Sequence, residues 1–219
     1  MGEVKLNIGA GMSRIPGFVN IDISKEADVT LDLSCDALPF DTDSVDLIFS
    51  YHTLEHVDNL LFALGEIHRV LRHEGRLLIG LPYVLTEYHV VNPYHVHNFN
   101  ERFFEFFDPT KIKGSAVEAN PVLFRSIFNR YHYMGGFRYV PQPFRSWCRR
   151  HLFNVVWKID IGLLAIKDPT KPICVDVRTR RRLEREFRAC LDARVTHGGK
   201  RLSRKNRRAG LLRRLERRY

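Results

Sequence analysis

The sequence predicts an α/β protein built on a doubly wound, mostly parallel sheet. Three observations predict it. Short apolar runs recur through the first eighty residues, around Leu6 and Ile8, Val19 to Ile21, Ser44 to Ser50 and the stretch RLLIGLP ending at Pro82. One of the links between them carries helical periodicity. The first run ends in a glycine turn, IGAG, the kind of turn that lies at the carboxyl edge of such sheets, where ligands bind.

Taken in order, Leu6 and Ile8 read as a buried strand, and Gly9 and Gly11 free the backbone to turn tightly beside a ligand. Val19 to Ile21 start a second strand that Asp22 closes, and an acid in that place can accept both hydroxyls of a ribose. Only Met12 to Phe18 lie between them, with Pro16-Gly17 as a turn, too few residues for a crossover helix of the usual length. Val29 to Leu33 alternate like a strand with Asp32 at its end, DALPF (36–40) is a loop, and SVDLIFS (44–50) is a buried strand leading into YHTLEHV. Leu60, Leu61, Leu64, Ile67, Val70 and Leu71 carry the spacing of an amphipathic helix over 58–72, capped by Asp58 or Asn59 and ended at Gly75. RLLIGLP follows as a central parallel strand. Beyond it, 83–107 is a His-, Tyr- and Phe-rich insertion at the edge where loops carry function. Asn100 is placed to cap a short helix over 101–107. A further helix is expected over 121–131, strands over 136–140 and 158–167, and helix between them over 144–157.

The charge is segregated. Residues 178–219 hold a net +13 and residues 1–177 a net −3, within a total of +10. The expected organisation is a domain over 1–175, with 83–107 as its substrate wall, and a basic helical tail over 176–219. In the tail, Leu183, Phe187 and Leu191 form a narrow apolar stripe sheathed in arginine. A break falls at Gly198-Gly199, and a second basic helix is expected around Ala209 to Arg218. Cys35, Cys148, Cys174 and Cys190 show no disulfide or CxxC spacing, which suits reduced thiols. With no apolar run long enough to span a bilayer and no leader composition, the chain is expected to be cytoplasmic, integral to no membrane.

The succession LNIGAG, NID, DLSCDALPF, VDLIFSYHTLEHV, EIHRVLRHEG and RLLIGLP resembles class I S-adenosylmethionine-dependent methyltransferases, most of all a compact bacterial group associated with sugars and surface glycans. The resemblance covers residues 4–107 well and 120–167 loosely. It implies a Rossmann-like fold of seven strands, the 158–167 strand inserted antiparallel, with the shortened first crossover that the compact group shares. It also implies S-adenosyl-L-methionine as cofactor: Gly9, Ala10 and Gly11 beneath its amino acid portion and ribose, Asp22 on the ribose hydroxyls, Asp36 with Ala37 and Leu38 near the adenine, and Ser50 and Tyr51 along the methionine part. Two of these residues have a plainer reading as well: Asp22 as a strand-ending carboxylate, and Asp36 as an Asx turn opening its loop.

Methyl transfer from a sulfonium is an in-line displacement in which the protein chiefly aligns donor and acceptor, and a hydroxyl acceptor adds the need for a base. His52, Glu55 and His56 follow the fourth strand at the mouth of the expected site, where an imidazole can take up a proton. Alternatively, Glu55 and His56 cap the next helix or hydrogen-bond the glycine loop. His89, His95 and His97 are the other candidates. With only Glu87 and Glu101 near, they make a poor magnesium site, and no metal is expected. The catalytic candidates are therefore His56, His95, His97 and Glu55. Tyr88, Tyr94, Phe99, Phe103 and Phe104 either stack on sugar faces or, like Phe106 and Phe107, belong to core.

The expected activity is O-methylation of a saccharide, or of a glycan or lipid-linked sugar. The basic residues 178–219 fold against the domain, hold an anionic membrane face peripherally, or contact nucleic acid. The last of these makes an RNA methyltransferase the main alternative. Against it, the NPPY motif of base-amino methyltransferases is absent, the fourth strand ending SYHT. A third reading is an inactive cofactor-fold partner subunit, which intact Gly9, Gly11 and Asp22 oppose.

Overall fold

A computed structural model describes residues 2–111, 121–171, 173–196, 198 and 200. Apolar runs pair into a seven-stranded sheet formed by β1 (Lys5–Ile8), β3 (Val19–Asp22), β4 (Val29–Thr30), β5 (Val45–Tyr51), β6 (Leu71–Pro82), β7 (Phe124–Tyr133) and β8 (Val156–Ala165). Its order is β4-β3-β1-β5-β6-β8-β7, and every pair is parallel except those of β8, which runs antiparallel between β6 and β7. The chain leaves β1 toward one edge and returns to β5 to build the other. This switch point puts the crevice outside the carboxyl ends of β1 and β5. Beside the sheet, β2 (Ser13–Arg14) pairs antiparallel with β9 (Val195–Thr196).

The helix on one face is α1 (Leu60–Val70). Asn59 caps it, its Oδ1 accepting from Phe62 N at 3.2 Å, while Leu60, Ala63, Leu64, Ile67 and Val70 turn inward and Leu61 turns out. Two side chains of α1 pin the 36–40 loop: Glu66 accepts from Leu38 N at 2.8 Å, and Arg69 donates to the carbonyls of Leu38 and Phe40.

The other face lacks the helix that a full first crossover would lay on it. Residues 9–18 contain only turns and β2, held by a buried amide network in which Asn7 Nδ2 and Ile15 N donate to Asn20 Oδ1 at 2.9 and 2.8 Å and Asp28 accepts from Asn20. The cover comes from the far end of the sequence. Helix α4 (Val177–Ala193), capped by Asp176, buries Leu183, Phe187, Cys190 and Leu191 against Ile15, Leu47, Phe49 and Leu78. Arg181, Arg182, Arg185 and Arg188 remain outside. Each buried side chain of the stripe contributes about 1.5–3 kcal/mol by leaving water. Two short helices, α2 (Glu87–Val90) and α3 (Phe144–His151), stand among the loops after β6 and β7.

Several expectations for the second half are corrected. Residues 121–131 are strand β7 rather than helix. A bulge between Ser126 and Phe128 turns both Ile127 and Phe128 toward α4, so that Phe124, Ile127, Phe128 and Tyr131 copy helical spacing. GFRYV (136–140) is not a strand but a 3-10 turn, Gly135–Tyr139, and the helix expected over 144–157 stops at His151 because Val156 already pairs in β8. The helix expected over 101–107 is a 3-10 segment, Phe103–Phe107. The strand expected over 29–33 keeps only Val29–Thr30 in pairing, and β6 begins at Leu71, upstream of Gly75. The tail helix ends at Ala193, because the chain there extends into β9. The helix expected around Ala209 to Arg218, and Gly199 of the predicted break, lie outside the described residues. All four cysteines are free thiols, and no described helix is long and apolar enough to cross a membrane.

Candidate active site

The glycine turn is built as the carboxyl end of β1 demands. Gly9 and Gly11 have φ of +66° and +53°, which side chains rarely adopt. A Cβ on Gly9 would meet the Thr53 side chain at 2.0 Å, whereas Gly11 faces open space within 4 Å. Asp22, at the end of β3, holds the turn from the other side: its Oδ2 accepts from Gly11 N at 2.8 Å and its Oδ1 from Ser24 N at 3.0 Å. Each oxygen keeps a further lone pair, so the half-buried carboxylate can brace the loop and accept two ligand hydroxyls together. Ala10, between the glycines, donates to Ile21 O.

Asp36 accepts from Asp32 N at 2.8 Å, and Asp32 accepts from Ser34 N, so a local turn does shape this loop. Asp36 and Ala37 are exposed and Leu38 is buried. At the end of β5, Ser50 is fully buried, and its Oγ finds no partner among the described residues. Tyr51 is tied into the protein: its ring lies against Gly80, stands 4.7 Å from the Arg194 guanidinium, and its hydroxyl accepts from Lys158 Nζ at 3.1 Å.

Lys158 opens a buried network that sequence reasoning missed. It donates to Asp160 Oδ1 at 2.7 Å, and His132 Nε2 lies 2.6 Å from Asp160 Oδ2. Burial alone would raise the Asp160 carboxyl, but the His132 hydrogen bond and the Lys158 charge outweigh it and hold it below its ordinary range. The signal lay in KIDIG, two charges at strand spacing inside an apolar run. A second cluster, also missed, fastens the 83–107 insertion to the sheet. Glu101 accepts from Tyr83 at 2.7 Å and from Arg149 at 2.8 Å, and the Arg149 guanidinium stacks 3.9 Å from the Tyr131 ring.

His52 turns the chain sharply after β5, with φ of +56° and its N–H on Gly80 O. The 3-10 turn Leu54–His56 then buries Glu55 completely. Glu55 Oε1 lies 3.1 Å from His52 Nδ1 and 4.0 Å from His56 Nε2, and its backbone carbonyl accepts from Val96 N at 2.9 Å. This last bond draws the insertion over the turn, and it brings three of the four catalytic candidates together: one ligand atom each of Glu55, His56 and His95 lie within 4.8 Å of one another. His97 is directed elsewhere, its Nε2 lying 2.8 Å from Val57 O. Burial, chiefly, keeps the His95 imidazole below its ordinary pKa and so neutral at neutral pH. Of the aromatics, Phe99, Phe104 and Phe107 are core, Phe103 packs against it, Tyr88 and Tyr94 are exposed, and Phe106, expected in the core, is exposed as well.

A family model described as a methyltransferase domain matches residues 13–79. That match covers less than a third of the chain, and its description says what these residues are similar to. The fold of the chain is shared with an S-adenosylmethionine-dependent methyltransferase of Archaeoglobus fulgidus, at 13% identity and a TM-score of 0.52, over 74% of this chain and 86% of that one. The YcgJ protein of Bacillus subtilis aligns at 17% identity and a TM-score of 0.48, over 76% and 93% of the two chains. A chain from the complex of the Trm112 methyltransferase activator of Haloferax volcanii aligns at 15% and 0.47, over 75% and 83%. No curated protein matches the sequence. The glycine turn, the open space at Gly11, the braced Asp22 and the unpartnered Ser50 hydroxyl fit such a cofactor.

Proposed function

We propose that the chain is an S-adenosylmethionine-dependent methyltransferase that O-methylates a saccharide, free or carried on a glycan or lipid. The observation that carries the reading is the meeting of Glu55, His56 and His95 at the mouth of the crevice, with the exposed rings of Tyr88 and Tyr94 on the same insertion. A neutral imidazole accepts the proton of an acceptor hydroxyl, and flat exposed aromatics suit sugar faces. In this reading Gly9, Ala10, Gly11 and Asp22 hold the amino acid end and ribose, Asp36, Ala37 and Leu38 border the adenine, and Ser50 and Tyr51 flank the methionine chain. The bound cofactor supplies an activated methyl group. The protein's share is alignment, exclusion of water and removal of the acceptor proton by His95 or His56, with Glu55 orienting His52 and the Tyr94 carbonyl orienting His56. We place the chain in the cytoplasm and within the compact sugar-modifying group.

A second reading, RNA methylation, is favoured by one observation: the arginines of α4 form an exposed basic face. The same helix weighs against membrane insertion, because Leu183, Phe187 and Leu191 are already committed to the core, which leaves α4 only electrostatic attachment to a bilayer. Calorimetric titration with S-adenosylhomocysteine tests the site. Asp22→Ala removes two charge-assisted hydrogen bonds to the ribose and weakens binding about 100-fold or more. Unchanged affinity would refute the placement. Turnover on glycan acceptors, lost in the His95→Ala and His56→Ala pair at equal cofactor occupancy, supports the first reading. Tight, steeply salt-dependent RNA binding with methyl incorporation into RNA would replace it with the second.

A further inference from the structure

We propose that Glu55, His56 and His95 form a binding site for a divalent transition-metal ion, an inference that concerns these side chains and does not rest on the identity of the acceptor. Two imidazoles and one carboxylate are a donor set suited to zinc, iron, cobalt or manganese and less suited to magnesium. On sequence alone no metal is expected, and the set weighed for one is a different set, His89, His95 and His97. The fold separates it by turning His97 onto Val57 O and His89 Nε2 onto Asn98 Oδ1 at 2.8 Å, and puts Glu55 and His56 beside His95 instead.

Three features of the cluster point to a ligand. Glu55 is wholly buried, yet its Oε2 finds no hydrogen-bond partner among the described residues, a costly state for a carboxylate unless a cation completes it. His56 Nδ1 lies 2.8 Å from Tyr94 O and His95 Nδ1 lies 3.0 Å from His89 O. Each carbonyl can accept only if the proton is on Nδ1, so both rings are held in the tautomer that leaves Nε2 bare, as ligating histidines are commonly held. The Glu55 carbonyl, in turn, ties the insertion bearing His95 to the turn bearing His56 through Val96 N, so the ligand set is positioned by backbone from two segments.

The spacing is open but close. Metal–ligand bonds of about 2.0–2.1 Å require ligand atoms about 3–3.5 Å apart, so atoms now within 4.8 Å close on an ion by less than about 1 Å each. His56 is 39% exposed and can make that movement by rotating its ring. Asn92 Nδ2 sits 2.9 Å from His95 Nε2, covering its lone pair in the ion-free chain, and an ion displaces that contact. Three protein ligands leave at least one coordination position for water or an oxygen of a chelating acceptor, whose proton the ion would make easier to remove; with the ion bound, His56 and His95 serve as its ligands in place of the base role proposed above.

The test is calorimetric titration of the full chain, stripped with chelator, with Zn²⁺, Mn²⁺ and Mg²⁺, without cofactor or acceptor. One Zn²⁺ or Mn²⁺ per chain is expected, bound more tightly than Mg²⁺, with His56→Ala and His95→Ala each weakening it at least about 10-fold and Asn92→Ala leaving it equal or tighter. Because Glu55→Gln can impair folding, thermal unfolding and S-adenosylhomocysteine affinity of each variant are measured alongside. These readouts keep a failed metal site distinct from a failed cofactor site. The proposal is overturned if no ion binds, or if folded His56→Ala and His95→Ala bind it as the natural chain does.

Discussion

Replacing Asp160 by Asn removes one charge from the buried Lys158–Asp160–His132 network while keeping its shape. Lys158 is 3% exposed and Asp160 fully buried, so the ammonium, which now lies 2.7 Å from Oδ1, keeps only an amide oxygen and the Tyr51 hydroxyl. Breaking a buried pair from one side costs about 3–5 kcal/mol. Because the amide still accepts one hydrogen bond, the expected loss is near the lower end, about 3 kcal/mol at pH 7, read as a shifted midpoint in urea denaturation. The pH dependence supplies a second check. The Asp160 carboxyl titrates below its ordinary value in the folded state, so its stabilisation is present above the unfolded pKa of about 3.9 and is lost as pH falls through the folded pKa. The gap between natural chain and variant therefore closes in acid, below about pH 4. Replacing Lys158 by Met as well as Asp160 by Leu removes the fully buried pair and recovers part of the loss, while His132 and the Arg130 guanidinium, 3.7 Å from Asp160 Oδ2, still lose their partner. A single variant within about 0.5 kcal/mol of the natural chain at pH 7, or a gap that persists unchanged into acid, refutes the reasoning.

Gly9→Ala puts a methyl group into Thr53 at a positive φ, and is expected to abolish S-adenosylhomocysteine binding in calorimetry, whereas Gly11→Ala, strained but with room around it, retains part of it. Phe187→Ala empties the contact between α4 and the sheet and costs about 3–5 kcal/mol in chemical denaturation. Asn59→Ala removes the α1 cap and costs about 1 kcal/mol by the same measurement, with no change in cofactor affinity.

The first half of the fold was legible because each element carries one signal with one meaning. Leu6, Ile8, Ile21 and Ile48 stand in short runs that only a buried sheet accommodates, Asn59 precedes an uninterrupted helical stripe, and Gly9 and Gly11 mark the turn. The second half mixes its signals. The bulge at Ser126 makes β7 imitate a helix, and β9, like its partner β2 in the first half, is two residues long, too short for any periodicity. Leu183, Phe187 and Leu191 showed that α4 has a buried face, but the bare surface that accepts it is created by the short crossover some 160 residues earlier, a relation that no local pattern records. In the site, the histidines were visible as residue types. Their grouping was not, because the hydrogen bond from Val96 N to Glu55 O selects His95 and sends His97 away.

The pairing of β2 with β9 also sets an order in time. Arg194 reaches Ser13 Oγ across 181 positions of sequence, with Nε at 2.9 Å, and Val195 and Thr196 close the strip beside Arg14 and Ser13. On the ribosome, Leu6 and Ile8 can meet Ile21 and Ile48 long before those partners exist, so the glycine turn is made early but stays unclamped. During that interval Ile15 and Phe49 face water, and a nascent chain halted before α4 would expose an apolar sheet face at the very place where its ligand loop begins. The closing contacts span some 180 residues of sequence, and a contact that spans so much chain forms slowly. The emergence of Thr196 thus comes well over a hundred residues after that of Gly9, and only then can the strip beside the glycine turn close.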